Sequence, residues 1–476
     1  MLRTAEIDSI EGVLSSFHEP QPIARKADEY IMRQHLHINE AYTDLRIIID
    51  SLRDDSDGPQ PPLLLQVYTL VLQSWNSISA WMFFSIRFWR LNQRSLLALA
   101  NPLALLQTLF PNFDLSFLSE PIIQELLLHP RTTQLAAAFV ILKNDDGMPF
   151  FVIYPDKSYP TCPIIKFIQS LSIADRSTAL TLTERFMMLP RPQLVAFVKA
   201  WTSRSRFLAG GFLKGASEVP KTAADSLTTL VLATQTLAQA NSTFDNLLLQ
   251  CGYFRDCAES LSTLVNLAVE YRTRGWRGGA LGPEEAEAVD GLRVGAMMLA
   301  MHIFNSFRSS DAFIQAVHGG LLTAAVQLEK LPKTKVSILE ESMLQPKAFG
   351  GVTRWVIPLL TSRRVLEVLR QIAIDSPDSP WVKRVKGVRA RDTAAPLTQD
   401  TASIARAYLW ASTCVLDLPG IVRVNQCINL KVRRLLQEGV IYDISSTPLA
   451  RHRLSTHGGP ILASAVQQLP LCIVLF

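Results

Sequence analysis

The chain has 476 residues, of which 48% are hydrophobic and 19% are charged, and its formal net charge is +5. This length exceeds the roughly 250 to 300 residues over which one hydrophobic core keeps growing, so a single compact domain is excluded. The mean hydropathy of +0.17 is high for a soluble protein and predicts helices buried on more than one face. A net charge this small in a chain this long gives little support for a polyanionic partner.

Residues 1–60 predict polar amphipathic helices, closed by the acidic, turn-rich segment 53–62. Glu6 and Asp8 stand where a signal peptide needs an apolar core and where a mitochondrial presequence avoids acids. The sequence therefore predicts a cytoplasmic or nuclear protein.

Residues 61–200 predict a second helical region, and residues 63–86 within it carry no charge. Polar residues such as Gln66, Gln73 and Asn76 make this stretch a poor transmembrane span, so we expect a buried helix and no transmembrane segment. Aromatic residues then alternate with Arg87, Arg90 and Arg94. This pattern is typical of core packing, but it also suits a lipid surface or a docked partner helix.

The residue composition changes from helix-favouring to strand-favouring at residues 136–154. Two runs rich in β-branched and aromatic residues flank an Asp-Gly turn that ends at Gly147. This combination predicts a small β-hairpin packed on the helices.

Four copies of a short pattern occur in residues 201–450, each with a glycine between two apolar pairs. The pattern predicts a helix, a glycine turn and a second helix, because a helix often ends on a residue with positive φ. The predicted hinges are Gly211, Gly252, Gly320 and Gly439.

The spacing of these glycines tests for a repeat. Gly211 and Gly252 are about 40 residues apart, close to the 40 to 47 residues of stacked helical repeats. The longer intervals to Gly320 and Gly439 are interpreted as one repeat with an inserted loop and as nearly three repeats. Four similar helix ends that arose by chance are the open alternative.

Residues 207–450 resemble armadillo/HEAT-like helical-repeat proteins, in which a small residue followed by aliphatic ones lies between helices. The resemblance implies an all-α, irregular helical solenoid. The helical texture is also loosely similar to the helical region of large fungal MYND-type zinc-finger proteins. The finger itself is absent, so its partner recognition is not carried over to any residue.

Two stretches of the repeat region predict exposed loops, residues 272–287 and 376–401, and residues 451–476 form a C-terminal tail. The second loop contains a basic run with no acid, which has the composition of a phosphate-contacting segment and equally that of a solvated loop. The candidate anion or nucleic-acid contacts are Lys383, Arg384, Lys386, Arg389 and Arg391.

The sequence contains no Gly-x-Ser-x-Gly, phosphate-binding loop or His-Glu-x-x-His motif, and its cysteines form no Cys-x-x-Cys pair. His35 and His37 would point about 200° apart on a helix, and His302 follows three methionines in an apolar helix, which predicts a core histidine. We therefore expect no cofactor, no metal site and no enzymatic activity.

Two functional hypotheses follow. The first is a non-catalytic helical-repeat scaffold that binds a protein or peptide partner. The alternative is a helical protein that binds nucleic acid or an anionic surface through the basic loop 381–391.

Overall fold

The computed structural model describes residues 10–17, 29–54, 62–91, 97–110, 120–143, 147, 149, 162–173, 176–210, 221–275, 283–328, 331, 359 and 362–383. Regular secondary structure in this part of the chain is helical throughout, as the sequence predicted. The chain divides into two units, residues 1–339 and 340–476, and each is described by itself.

The first unit contains sixteen described helices. The first eight are α1 (10–15), α2 (Glu29–Asp54), α3 (Pro62–Gln73), α4 (Trp75–Leu91), α5 (Leu97–Leu109), α6 (Pro121–Leu127), α7 (Pro130–Ile141) and α8 (Pro163–Ile173). The next eight are α9 (Arg176–Met187), α10 (Arg191–Gly210), α11 (Lys221–Ala240), α12 (Ser242–Gln250), α13 (Tyr253–Gly275), α14 (Pro283–Asn305), α15 (Ser309–His318) and α16 (Leu321–Leu328). In the second unit, α17 (Arg363–Asp375) is followed by one helical turn at 380–383.

Local sequence signals set many of the helix starts. Five of the described helices begin with proline, which tolerates the first helical position because the missing N–H has no partner there. These helices are α3, α6, α7, α8 and α14. At the start of α12, the side chain of Asn241 accepts hydrogen bonds from the backbone N–H groups of Thr243 (2.9 Å) and Phe244 (3.1 Å).

Two series of helices pack side by side in the first unit. In the first series, the A row, α2 packs on α5, α5 on α8, α8 on α11 and α11 on α14. In the second series, the B row, α4 packs on α7, α7 on α10, α10 on α13 and α13 on α16. The two rows also contact each other, through α4 with α5, α7 with α8, α10 with α11, and α13 with α14.

The hydrogen bonds between neighbours in one row join residues that are nearly equally far apart in sequence. In the B row, the Trp75 indole N–H donates to the Thr132 hydroxyl, 57 residues away and at 2.9 Å. In the A row, the Thr228 hydroxyl donates to the Gly291 carbonyl, 63 residues away and at 2.8 Å. Consecutive helices of each row are therefore separated by about 60 residues of chain.

One A-row contact is unusually close. The backbone of α14 approaches α11 at Gly291 and Gly295, where an added Cβ would lie 3.2 Å from an Asp225 oxygen and 2.9 Å from the Thr228 hydroxyl. Glycine allows this approach because it has no Cβ. Asp225 is half-buried in the contact, and burial raises the pKa of its carboxyl to about 6, while Lys221 lowers this pKa and Glu287 raises it.

Arginines satisfy the carbonyl groups that helices leave free at their C-terminal ends. Arg53 donates to the Thr108 carbonyl of α5 at 2.7 Å, and Arg293 donates to the Leu331 carbonyl just beyond α16, also at 2.7 Å. Arg204 of α10 donates to the carbonyls of Phe139 (3.1 Å) and Val140 (3.0 Å) in the last turn of α7. Arg204 is fully buried, so the α7 end and α10 are tied together inside the core.

The predicted hairpin at 136–154 is wrong in its first arm. Residues 136–141 are the C-terminal half of α7, and Ala136, Phe139 and Val140 are buried there. Three consecutive alanines favour a helix, and packing of α7 against α4 and α10 outweighs the β preference of the residues that follow. Among the described residues of this segment, Lys143 and Pro149 form an antiparallel bridge, and Gly147 between them has φ +72°. The predicted second arm, residues 150–154, lies outside the described residues.

The uncharged stretch 63–86 belongs to two helices, because α3 ends at Gln73 and α4 begins at Trp75. Trp81, Phe84 and Phe88 are buried, so the aromatic residues pack in the core. Within the described ranges, no helix is both long enough and apolar enough to cross a membrane. Residues 272–275 and 283–287 were predicted as loop, but they are the end of α13 and the start of α14.

Candidate functional site

Of the five basic residues predicted as anion contacts, the structure describes Lys383. Its exposed ammonium lies 3.2 Å from an oxygen of Asp378, which is itself 90% exposed. An ion pair between two groups so exposed contributes little to stability and leaves the ammonium accessible. The other four lie outside the described residues: Arg384, Lys386, Arg389 and Arg391.

Two of the predicted glycine hinges lie between helices with a positive φ. Gly252 joins α12 to α13 at φ +79°, and Gly320 joins α15 to α16 at φ +92°. Gly211 and Gly439 lie outside the described residues. The turn at Gly319 makes the closest approach, because a Cβ there would lie 2.3 Å from the Arg255 carbonyl oxygen of α13.

A buried polar cluster joins α12 to the end of α14. The side chain of Asp245 accepts hydrogen bonds from the Ser306 hydroxyl (2.7 Å) and from the Phe307 backbone N–H (3.1 Å). His302 is 1% exposed, and its Nε2 lies 3.6 Å from Asp245. Ser306 donates to the carboxylate and not to the imidazole, so the three side chains are not arranged to activate a serine nucleophile. The cluster fixes the turn after α14.

Cys162 lies at the start of α8, close to Arg204. The Cys162 thiol is buried, and the backbone N–H of Cys162 donates to the Ser226 hydroxyl at 2.8 Å. Burial raises the pKa of the Cys162 thiol, while Arg204 and the first N–H groups of α8 oppose that rise. A buried thiol whose pKa is raised is protonated near neutral pH and is a poor nucleophile, which supports a structural role.

The outer side of the B row is a surface to which several of the described helices contribute. The inner members α7, α10 and α13 are each exposed along one side, because neighbouring B-row helices cover both flanks and the A row covers the back. On α4 the stripe runs from Asn76 through Phe83 to Arg90, and on α10 it runs from Lys199 to Arg206. The stripes of adjacent helices lie side by side, so they form one surface, which we call the B-row face. Its exposed or half-exposed members include Asn76, Phe83, Arg87, Arg90, Arg131, Gln134, Ala138, Lys199, Ser203, Arg206, Arg255 and Glu259.

The residues that the structure describes include no group of three or more His, Cys, Asp or Glu side chains placed to hold a metal ion. Comparison with known protein families, with curated proteins and with solved structures finds no match to this chain.

The B-row face was not identified from the sequence, although a signal for it exists there. The segments 75–91, 130–141 and 191–210 contain basic residues but neither aspartate nor glutamate. Only the packing of α4, α7 and α10 shows that these separate segments form one surface.

Proposed function

We propose that the first unit is an armadillo-like, non-catalytic helical-repeat scaffold that binds a protein or peptide partner. Each repeat in this proposal contains one B-row helix, one A-row helix and one further helix, over about 60 residues. The third repeat consists of α10, α11 and α12, and the fourth consists of α13, α14 and α15. The proposed repeat has three helices, and at about 60 residues it is longer than the 40 to 47 residues expected from the sequence.

The observation that carries this proposal is the common sequence separation of the bonds between repeats. Gln315 of α15 donates to the Leu249 carbonyl of α12 over 66 residues, and Ser260 of α13 donates to the Ser205 carbonyl of α10 over 55 residues. The Gly252 and Gly320 turns then occupy the same place in consecutive repeats, so their spacing corresponds to one repeat.

The two turns also share their hydrogen bonds. Cys251 N–H bonds to the Leu247 carbonyl and Gly252 N–H to the Leu249 carbonyl. Gly319 N–H and Gly320 N–H make the same two bonds, to Gln315 and Val317. This bond pattern is common where a helix ends in glycine. The support for a repeat therefore comes from the position of the two turns, each of which lies between the third helix of one proposed repeat and the first helix of the next.

A deletion experiment tests the repeat. Removing residues 191–252 takes out one whole proposed repeat, so α7 and α8 can pack on α13 and α14 as they did on α10 and α11. We expect this variant to remain helical and to melt cooperatively by circular dichroism, since repeats contact mainly their neighbours. Removing residues 211–251, which matches the glycine spacing, should destroy cooperative melting. Cooperative melting of the second variant and loss of structure in the first would refute the 60-residue repeat.

Site-specific photo-crosslinking tests the partner. A benzophenone amino acid replaces Ala138, which is half-exposed on the B-row face, or, as a control, Ser51, which is exposed on α2. In the native cells, we expect a defined protein adduct at position 138 that survives nuclease and is absent at position 51. Equal adducts at both positions would contradict the proposal, and a nuclease-sensitive adduct would favour the alternative of nucleic-acid binding.

Cysteines 162, 251 and 257 are free thiols, which supports a cytoplasmic or nuclear location for such a scaffold.

A further inference from the structure

A half-exposed histidine caps the N-terminus of α7. His129 precedes Pro130 with extended backbone angles (φ −63°, ψ 135°), and its Nδ1 accepts a hydrogen bond from the Arg131 backbone N–H at 3.2 Å. A ring nitrogen accepts a hydrogen bond only when it carries no proton, so this bond requires a neutral imidazole with its proton on Nε2. Asn241, which caps α12 in the same way, has no such requirement because its amide does not titrate.

The charged groups that face His129 come from three helices. Arg131 belongs to α7, Arg185 to the last turn of α9, and Glu125 to α6. Burial lowers the pKa of His129, the two arginines lower it further, and Glu125 opposes this by raising it. An imidazolium would also be repelled by the positive end of the α7 dipole. The cap is therefore in its neutral, accepting form at neutral pH.

The capped turn also holds the joint between α7 and its neighbours. The backbone N–H groups of Thr132 and Thr133 donate to the His129 carbonyl, at 2.9 Å and 3.4 Å. The buried Thr132 hydroxyl accepts from the Trp75 indole N–H of α4 at 2.9 Å and donates to the Leu126 carbonyl of α6 at 2.7 Å. A change in the first turn of α7 therefore reaches the contacts of α7 with two other helices.

We propose that His129 is a pH-sensitive helix cap, which holds the first turn of α7 at neutral pH and releases it when the imidazole takes up a proton. The protonated ring no longer accepts the Arg131 N–H, and it places a positive charge where the helix already presents N–H groups without intrahelical partners. The inference is independent of the proposed scaffold function, because it concerns the stability of α7 whatever the chain binds.

The direction of the pH effect follows from the lowered pKa. When the turn is open, His129 titrates near its ordinary pKa of 6.5, and when the turn is capped it takes up its proton at a lower pH. The stability that the cap contributes is therefore fully present above pH 6.5, and it is lost as the pH falls through 6.5 towards the lower pKa of the capped form. The first turn of α7 should thus loosen in the mildly acidic range.

Hydrogen exchange of the full chain, followed by NMR at pH 7.5 and pH 5.0, tests the cap. The measured quantity is the protection factor, the intrinsic exchange rate divided by the observed rate, because this ratio removes the direct effect of pH on exchange. The reporters are the backbone N–H groups of residues 131–133 and the Trp75 indole N–H. His129→Asn keeps an accepting cap that does not titrate, and His129→Ala removes the cap.

In the wild-type chain we expect the protection factors of the three backbone N–H groups to fall about fivefold between the two pH values, which is the typical effect of losing an N-cap. The protection factor of the Trp75 indole should fall in the same direction. His129→Asn should keep full protection at both pH values, and His129→Ala should show the lower protection at both. Arg185→Gln should move the midpoint of the transition to higher pH, because it removes a charge that disfavours the imidazolium. The matched control Arg46→Gln, which removes a half-exposed arginine from α2, should leave the midpoint unchanged.

The same loss of protection in His129→Asn as in the wild type would overturn the inference, because another titrating group would then cause it. Constant protection in the wild type would also overturn it, and so would equal midpoints in the Arg185→Gln and Arg46→Gln variants. If His129→Ala does not fold, the comparison of the wild type with His129→Asn still decides the question. None of these outcomes depends on the photo-crosslinking at position 138, so the cap and the scaffold are tested separately.

Discussion

The turn between α15 and α16 allows the contributions of a steric contact and of backbone strain to be separated. Gly319 has an ordinary φ of −76°, but its Cβ position is blocked by α13. The blocking atoms are the Arg255 carbonyl oxygen at 2.3 Å, the Ala258 Cβ at 2.8 Å and the Glu259 backbone nitrogen at 2.9 Å. Gly252 shows the opposite situation, with φ +79° and nothing within 4 Å of an added Cβ.

We expect Gly319→Ala to destabilise the first unit by about 3 kcal/mol, because a helix backbone cannot move aside and the whole turn must shift away from α13. Gly252→Ala should cost about 1 kcal/mol, from the left-handed backbone alone. Gly320→Ala should fall between them, since it combines φ +92° with the Ser262 hydroxyl 2.9 Å and the Ser262 Cβ 3.1 Å away.

Substitution by asparagine separates the two causes further. Asparagine tolerates positive φ, so Gly252→Asn should be close to wild type, while Gly320→Asn should stay destabilised by contact with Ser262. The assay is urea unfolding followed by circular dichroism, with amide hydrogen exchange to localise the loss to α13, α15 and α16. Equal costs for Gly319→Ala and Gly252→Ala, or a cost below about 0.5 kcal/mol at Gly319, would refute the close contact with α13.

Three further changes test the core. Arg204→Met should lower the free energy of unfolding by about 3 kcal/mol, because it leaves buried carbonyls of α7 without donors. The comparison variant Arg206→Gln, at a residue 57% exposed, should lower it by less than about 1 kcal/mol. Thermal melting of the two variants compares these effects. Asp225→Asn should stabilise the protein at pH 7.5 and should lose that advantage at pH 4.5. Gly295→Ala should cost about 1 to 2 kcal/mol, and adding Thr228→Ala should recover part of this, since an alanine at 228 has no hydroxyl to obstruct the new Cβ.

The sign of the pH effect follows from the direction of the pKa shift. Burial raises the pKa of Asp225 to about 6 in the folded state, above its ordinary value of 3.8. The protonated carboxyl therefore contributes stability that is fully present below about pH 4 and is lost as the pH rises through 6. Asparagine does not titrate, so the difference in melting temperature between variant and wild type isolates Asp225. A difference in melting temperature that does not change between pH 4.5 and 7.5 would contradict the raised pKa of Asp225.

For Arg204, equal melting temperatures of the Arg204→Met and Arg206→Gln variants would contradict the capping role. For Gly295, strictly additive effects would contradict the contact with Thr228.

Much of the local structure was predictable because its causes are local. The apolar periodicity of the chain predicted helices, and the apolar surroundings of His302 predicted a core histidine, which is 1% exposed. The hairpin prediction failed at residues 136–141 because β preference was weighed without the neighbours of α7. Packing against α4 and α10 decides the secondary structure of residues 136–141, and those two helices are formed by residues far away in sequence.

If the proposed repeat of about 60 residues holds, the glycine spacing misleads for a related reason. Gly211 follows α10 in the chain, whereas Gly252 lies between α12 and α13, so their spacing of about 40 residues compares two different kinds of junction. Glycines that end helices look alike in sequence whatever the helices pack against. The partners of those helices, about 60 residues away, are needed to tell the junctions apart.

By itself, the sequence determined an all-helical protein, the prolines that start five helices, and the absence of recognisable catalytic motifs, because propensity, capping and motif chemistry act over a few residues. The tertiary structure decided which helices are neighbours. Arg204 thereby became a buried helix cap, although a sequence containing it gives no reason to expect a buried arginine. Arg87, Arg131 and Lys199 are exposed for the same physical reason, since the packing of the rows selects which side of each amphipathic helix faces water.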